Sequence, residues 1–190
     1  ASIDGPSGSG FGVSVSMTDR FAIVGAIDSN EAFVYARDAS TGAWNTTAVA
    51  TLTGPAGSTW FGVDVRISDS YAIVGTMAIG GATLLNTAYI YARDEATGTW
   101  GTAAVAPLTG YTSQGSFGRG VAIHGSYALV GAEVAKTAYF FSLACPLGAY
   151  REGGSCISCA AGSYGGGGSS ASCTACGIGM YSESGAKAKD

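Results

Sequence analysis

The chain is organised around residues 11–54, FGVSVSMTDRFAIVGAIDSNEAFVYARDASTGAWNTTAVATLTG, a stretch that occurs nearly three times. It returns from residue 61 as FGVDVRISDSYAIVG, then YIYARDEATGTW and AAVAPLTG, and it begins again at residue 117 as FGRGVAIHGSYALVGAEVAKTAYFF. Self-similarity of this kind is typical of repeat architectures. Repeats starting at Phe11, Phe61 and Phe117 therefore predict tandem structural units.

Within each repeat the apolar residues follow the period of a β-strand. Val13, Val15 and Met17 alternate with serines, which predicts a strand with one buried face. The next segment, FAIVGA at 21–26, is continuously apolar and predicts a strand buried on both faces.

Two further segments complete each unit. The third is rich in aromatic residues, at 32–38 and 88–94, and the fourth begins at a tryptophan, at 44–52 and 100–108. Each complete repeat therefore predicts a four-stranded antiparallel meander, and no stretch of the chain predicts a helix.

Four-stranded units in tandem are the blades of a β-propeller. The Phe-Gly pair that opens each repeat, and the Val-Gly-Ala or Val-Gly-Thr of its second strand, resemble the FG-GAP repeat of integrin-α-type propellers. Over residues 1–143 this resemblance implies an all-β fold with two complete propeller-like blades and three strands of a third. Calcium-binding members of that family carry an Asp-rich loop that the turns at Asp19 and Asp69 lack, so no metal or cofactor is predicted.

The two ends of the repeat region predict open strand edges. Residues 1–4 align with residues 50–53, the last strand of the first repeat, and the third repeat has no matching last strand. Three interpretations stay open: a piece of a longer propeller, several copies closing a ring, or residues 1–4 completing the third blade of a neighbour. The last contact propagates into a filament if it does not close.

Residues 144–190 form a separate region, because all five cysteines lie between residues 145 and 176. Cys-x-x-Gly-x-Tyr begins at Cys145, Cys159 and Cys176, and it resembles the cysteine-rich modules of ephrin-receptor and TNF-receptor type ectodomains. The resemblance implies disulfides Cys145–Cys156 and Cys159–Cys173, with Cys176 unpaired within this chain.

The alternative for the cysteines is zinc. Cys156-x2-Cys159 and Cys173-x2-Cys176 have the spacing of a site with four thiolate ligands. Disulfides are the favoured interpretation, because a short, glycine-rich segment buries too little apolar area to fold without cross-links.

Other residues that suggest chemistry have structural interpretations. Asn45 opens the sequon Asn-Thr-Thr and is predicted to carry an N-linked glycan. His124 is predicted to be an exposed turn residue, and the Tyr-Ala-Arg-Asp runs at 35–38 and 91–94 to close a turn in each blade. The large aromatic residues are predicted to pack between blades, with sugar stacking as the alternative, at Tyr35, Trp44, Trp60, Tyr91 and Trp100. We predict no catalytic residues.

Composition narrows the function classes. The chain has 190 residues, a net charge of -4 and 12% charged residues, so it has no basic face for nucleic acid. No apolar run approaches the roughly 18 residues of a membrane span. We therefore expect a non-enzymatic extracellular or cell-surface structural or adhesive module whose partner is itself or an adjoining blade, with covalent glycans. The alternative is a ligand-binding ectodomain fragment of a surface receptor or adhesion protein.

Overall fold

The computed structural model describes residues 2–77, 87–109, 116–144, 149–152, 155–161, 163–164 and 172–175. The chain divides into two compact units, Ala1–Phe141 and Ser142–Asp190. The first unit contains the repeats and the second contains the cysteines. The division between them along the sequence falls two residues before the predicted one. Throughout the described residues the regular structure is β-strand, and no helix that could span a membrane occurs there.

The first unit contains three antiparallel sheets, which we call blades 1, 2 and 3. Blade 1 has the order β1-β2-β3-β4 and blade 2 the order β5-β6-β7-β8, while blade 3 has the order β11-β10-β9. The strands of blade 1 are β1 (Phe11–Met17), β2 (Phe21–Ala26), β3 (Glu31–Ala36) and β4 (Ala50–Thr53). Those of blade 2 are β5 (Val65–Ile67), β6 (Tyr71–Gly75), β7 (Thr87–Ala92) and β8 (Ala106–Thr109). Those of blade 3 are β9 (Phe117–His124), β10 (Tyr127–Ala132) and β11 (Thr137–Ser142). The all-β fold with tandem four-stranded, propeller-like blades is confirmed.

The fourth strands are shorter than predicted. Trp44 forms a single bridge with Arg37, and regular pairing resumes where Ala50 faces Val34. Between these two pairs lie three residue steps on the third strand, from Arg37 to Val34, but six on the fourth segment, from Trp44 to Ala50. The extra residues of the fourth segment therefore loop out of the ladder. Blade 2 repeats this between Trp100 and Ala106. The predicted strands 44–52 and 100–108 are therefore wrong in their first halves.

Residues 2–4 of the N-terminal segment form no strand within this chain. They align with β4, but β4 already pairs with β3 as the outer strand of blade 1, and Ala1 lies outside the described residues. The prediction that residues 1–4 complete a blade of another chain or a further blade therefore stays untested.

A bulge in blades 1 and 3, and a turn just before β5 in blade 2, explain the Phe-Gly pair, and we call this segment the Phe-Gly bulge in all three. The pairing of β1 with β2 shifts register between Phe11 and Val15. Gly12, Gly62 and Gly118 have φ values of 92°, 94° and 91°, a region that side chains rarely adopt. Glycine is therefore needed at the same place in all three repeats.

The core lies between successive blades. A single apolar cluster combines residues of blade 1, including Phe21, Ile23, Val34 and Leu52, with residues of blade 2, including Phe61, Val65, Ile67, Val74 and Trp100. Each large side chain buried in this way contributes roughly 1.5–3 kcal/mol to stability. Each blade is thus stabilised mainly by the face of its neighbour.

The second unit contains two small ladders. β12 (Ala149–Glu152) pairs antiparallel with β13 (Ser155–Ser158), and β14 (Ser163–Tyr164) pairs with β15 (Thr174–Ala175). A disulfide joins Cys159 to Cys173. Short ladders and a cross-link agree with the predicted disulfide-rich region of little regular structure.

Candidate functional site

The Tyr-Ala-Arg-Asp motif closes a turn, as predicted. In blade 1, Arg37 donates from Nε to the carbonyl oxygen of Gly42 at 2.8 Å. The Asp38 carboxylate accepts from the backbone N–H groups of Ser40 and Thr41 at 2.9 and 2.8 Å. The hydrogen bond from the Ser40 hydroxyl at 2.6 Å, followed by those from Thr41 and the Ser40 N–H, lowers the pKa of Asp38 to about 2.

Blade 2 contains the same turn. Arg93 donates to the carbonyl oxygen of Gly98 at 3.1 Å, and Asp94 accepts from the N–H groups of Ala96 and Thr97. The hydrogen bonds from Thr97 are the main cause that lowers the pKa of Asp94. Both pairs thus close their own turns, and Arg93 also lies over the Phe21 ring of blade 1.

The predicted modification site and the single histidine both lie on the surface. The Asn45 side chain is exposed, as are Thr46 and Thr47, while the Asn45 backbone N–H donates to the Ala36 carbonyl oxygen at 3.0 Å. His124 is the exposed last residue of β9, next to the predicted turn. Glycosylation at Asn45 stays a prediction.

The cysteines are described in part. The bond between Cys159 and Cys173 is the pairing that the resemblance implies. The four-thiolate zinc alternative is wrong, because two of its four sulfurs are joined to each other. The Cys145–Cys156 pairing and Cys176 lie outside the described residues and side chains, so those predictions remain untested.

Three of the five large aromatic residues are buried. Tyr35, Tyr91 and Trp100 are each less than a tenth exposed, while Trp44 and Trp60 are partly exposed. Tyr91 donates from its hydroxyl to the Thr53 carbonyl oxygen in blade 1 at 3.3 Å, and burial raises its pKa. Tyr35, Tyr91 and Trp100 are thus buried in the blade unit as predicted, and sugar stacking on Trp44 or Trp60 stays an untested alternative.

The contact between blades repeats in detail. A Cβ added at Gly25 would lie 2.1 Å from the carbonyl oxygen of Gly62, and one added at Gly75 would lie 1.9 Å from that of Gly118. The second strand of each blade thus receives the Phe-Gly bulge of the next blade at backbone contact distance, which excludes any side chain at Gly25 and Gly75.

Polar groups join the first strands of successive blades. The Ser14 hydroxyl donates to the Asp64 carboxylate at 2.9 Å and accepts from the Val65 N–H at 3.1 Å. The other Asp64 oxygen accepts from the Val121 N–H at 2.9 Å. Gly120 occupies the equivalent position in blade 3 and has no side chain for this role.

Blade 1 exposes the face that the other blades bury. We call the side chains of Val13, Val15 and Met17 on β1 the head face. Val15 is 63% exposed, whereas the equivalent Val65 and Val121 are 0% and 5% exposed. The head face is therefore an inter-blade surface with no blade packed against it in the described residues.

Blade 3 exposes the opposite face. We call the side chains of Tyr127 and Leu129 on β10 and Phe140 on β11, together with Gly131 on β10, the tail face. Phe140 is 82% exposed, whereas its equivalents Val34 and Ile90 are 0% and 1% exposed. The tail face therefore also has the composition of an inter-blade surface without its partner.

A cavity of about 540 Å³ lies at the tail face. It is lined by Arg119, Gly120, Gly131, Ala132, Glu133, Lys136, Thr137 and Ala138. Arg119 and Glu133 form an exposed ion pair at its edge. Gly131 marks the cavity as the blade 3 equivalent of the place where Gly25 and Gly75 meet the next blade.

No protein-family model matches the sequence, and none of the curated proteins is significantly similar to it. The functional interpretation therefore depends on the geometry of this chain.

The sequence predicted an open edge at the third strand of blade 3 but missed the two apolar faces. Alternation placed Val15 on a half-buried strand, the continuously apolar run placed Tyr127 in a strand buried on both faces, and no burial was predicted for Phe140. These patterns do not say which blade covers which face.

Proposed function

We propose that this protein is a non-enzymatic extracellular structural or adhesive module that assembles with itself through the open surfaces of blades 1 and 3. The observation that carries the proposal is the contrast in exposure between equivalent residues, Val15 against Val65 and Phe140 against Ile90. Exposed apolar patches rimmed by polar groups are typical of protein–protein contact sites.

An edge strand supports the same proposal. In blades 1 and 2 the third strand pairs with a fourth strand, whereas β11 lies at the edge of its three-stranded sheet among the described residues. Unpaired backbone donors and acceptors at an edge favour the addition of a strand from another chain. Residues 1–4 resemble the fourth strand in sequence, which makes them the donor that we propose.

The disulfide bond supports an extracellular location. Disulfides persist mainly in secreted and surface proteins, and the chain has one between Cys159 and Cys173. The exposed Asn45 sequon suits the same compartment. The resemblance to FG-GAP blades and receptor-type cysteine modules adds a link to surface proteins, which remains part of the proposal.

Negative-stain electron microscopy of the secreted, oxidised protein tests the proposal. We expect fibres or closed rings built from repeating blades at micromolar concentrations. Dispersed particles of single-chain size over the same range would contradict self-assembly and favour the alternative of a receptor-ectodomain fragment.

A further inference from the structure

We propose that the cavity on blade 3 receives the Phe11-Gly12 bulge of a second copy, so that the head face of one molecule docks on the tail face of the next with the geometry of the internal blade contacts. This inference rests on the proposed function and names the partner and the contact residues. The two faces are complementary because each is the missing half of the same repeated interface.

The cavity matches the internal acceptor positions residue by residue. In blade 1 the bulge at Gly62 lies against Gly25, Ala26 and Glu31. In blade 2 the bulge at Gly118 lies against the equivalent backbone. The blade 3 equivalents are Gly131, Ala132 and Thr137, and all three line the cavity.

The proposed ligand, the bulge of blade 1, is free in the described chain. A Cβ added at Gly62 or Gly118 would meet a neighbouring carbonyl oxygen at 2.8 Å, whereas one added at Gly12 would meet nothing within 4 Å. Gly12 has the same backbone conformation as its equivalents. The bulge is thus already shaped for an acceptor that is absent from the residues the structure describes.

The aromatic residues that join blade 1 to blade 2 have equivalents on the tail face of blade 3 and on the outer turn of blade 1. Phe21 packs edge-on against Trp100 of blade 2, with ring centroids 5.4 Å apart, and the Arg93 guanidinium lies 5.3 Å from the Phe21 centroid. The equivalent of Phe21 on blade 3 is Tyr127, which is 66% exposed. The equivalents of Trp100 and Arg93 on blade 1 are Trp44 and Arg37, of which Trp44 is partly exposed. A docked second copy would therefore place Trp44 and Arg37 against Tyr127.

The polar edge of the interface is compatible as well. Between blades 1 and 2 the Thr18 hydroxyl donates to the Asp69 carboxylate at 3.0 Å. The equivalent of Thr18 on blade 3 is His124, and the equivalent of Asp69 on blade 1 is Asp19. Docking would bring an imidazole N–H donor of one copy to a carboxylate acceptor of the other.

The N-terminal segment reaches the correct edge in the same arrangement. Residues 50–53 form the outer strand of blade 1 and lead, through a turn in which Ser58 donates to the Pro55 carbonyl oxygen, to Phe61 in blade 2. Ser9 donates to the Pro6 carbonyl oxygen in the same way before Phe11. When Gly12 docks in the blade 3 cavity of another copy, with Phe11 still packed on Phe33 of its own blade, residues 2–4 lie where they can extend β11 as a fourth strand.

The partner that fits best is a second copy, because one chain carries both halves of the contact. Blade 1 cannot reach blade 3 of its own chain, since blade 2 packs between them through β5 and β9. A head-to-tail contact forms a ring if its rotation closes and a filament if it does not. Two copies supply six blades, which is within the roughly four to eight of closed propellers.

Sedimentation velocity over a concentration series of the oxidised chain tests the inference, with Gly131→Ala as the key variant. A methyl group at Gly131 makes an ordinary 3.5 Å contact within the free chain, so the variant should fold normally. In the docked arrangement the same methyl would collide with the Gly12 carbonyl oxygen. We expect the wild-type chain to associate and Gly131→Ala to remain a monomer, with equal thermal midpoints only at dilutions where both chains are monomeric, since association itself raises the midpoint.

Each other outcome is informative. Association of the wild-type chain that Gly131→Ala leaves unchanged would overturn the cavity assignment while leaving self-assembly in place. A wild-type chain that stays monomeric up to roughly millimolar concentration would contradict both proposals.

Discussion

Each of the three blades has a glycine at the same position of its second strand, and the three glycines differ in whether another blade packs against them. Gly25 and Gly75 face the carbonyl oxygen of the following blade at a distance that excludes a Cβ, and Gly131 faces the cavity. The same substitution therefore has different consequences at the three sites, and a residue-scale comparison separates folding from assembly.

We predict that Gly25→Ala and Gly75→Ala each destabilise the first unit by ~1–3 kcal/mol, because the inserted methyl forces blades apart. Gly131→Ala should change stability by less than about 0.5 kcal/mol, as expected for an open surface site. Urea unfolding of the three variants under monomeric conditions measures both. A large loss at Gly131, or none at Gly25, would contradict the equivalence of the three positions.

The carboxylates of Asp38 and Asp94 make the stability of the turns depend on pH. Both pKa values are lowered by hydrogen bonds in the folded chain, that of Asp38 to about 2. A depressed pKa stabilises the fold above the pKa of the unfolded chain, about 3.9 for Asp, and this stabilisation is lost as pH falls toward the folded value. We predict that Asp38→Asn/Asp94→Asn flattens the fall in thermal midpoint between about pH 4 and pH 2.

The control for this prediction is Asp4→Asn, since Asp4 is an exposed carboxylate outside both turns. It should leave the pH profile of the thermal midpoint close to that of the wild-type chain. An Asp38→Asn/Asp94→Asn profile as steep as the wild type would show that other carboxylates govern the acid transition.

At the scale of elements, polar groups join the first strands of the three blades side by side. Ser14 and Asp64 each accept from a backbone N–H of the following blade, and Gly120 is the position in the series without an acceptor. The contact that we propose between copies is therefore weaker by one hydrogen bond than the contacts within a chain.

We predict that Gly120→Ser strengthens self-association. A Cβ at Gly120 meets nothing within 4 Å, and its φ is not in the left-handed region, so the serine is accommodated in the free chain. Its hydroxyl would accept from the Val15 N–H of the second copy, as Ser14 accepts from Val65. One added hydrogen bond of about 0.5–1.5 kcal/mol corresponds to a ~2- to 12-fold lower Kd, measurable by sedimentation equilibrium. Gly120→Ala provides the control without an acceptor, and equal Kd values for the two variants would argue against the proposed register.

The strands show what the sequence predicts and why it falls short. Period-two alternation and the apolar second segments predicted the order of strands within each blade, because each blade repeats the same pattern. The start of β4 was misplaced because Trp44 pairs with Arg37 through an isolated bridge, before residues that loop out. The exposure of Phe140 could not be predicted, because burial depends on the neighbouring blade, which no local pattern specifies.

At the scale of the whole molecule the two units have different sources of stability. The blade unit buries apolar side chains between sheets, whereas the described part of the second unit contains two short ladders and the Cys159–Cys173 bond. The bond closes a loop of 14 residues, a size for which chain-entropy arguments give about 3 kcal/mol.

We predict that Cys159→Ser/Cys173→Ser disrupts the second unit and leaves the blades intact. The thermal midpoint of the blade unit should stay within experimental error, while amide protons of residues 155–161 and 172–175 should exchange faster. Hydrogen exchange with mass spectrometry reads both units in one experiment. Loss of protection in the blades would show that the two units fold together.

The most direct test of head-to-tail docking mixes two variants that each lack one face. Gly131→Ala blocks the tail face, and Val15→Asp places a charge on the exposed head face without touching the core of the free chain. We predict that each variant alone sediments as a monomer of 18.8 kDa. An equimolar mixture should form a one-to-one complex of twice that mass and stop there, since one intact contact remains. A mixture that stays monomeric, or a single variant that still assembles, would contradict the docking of blade 1 on blade 3.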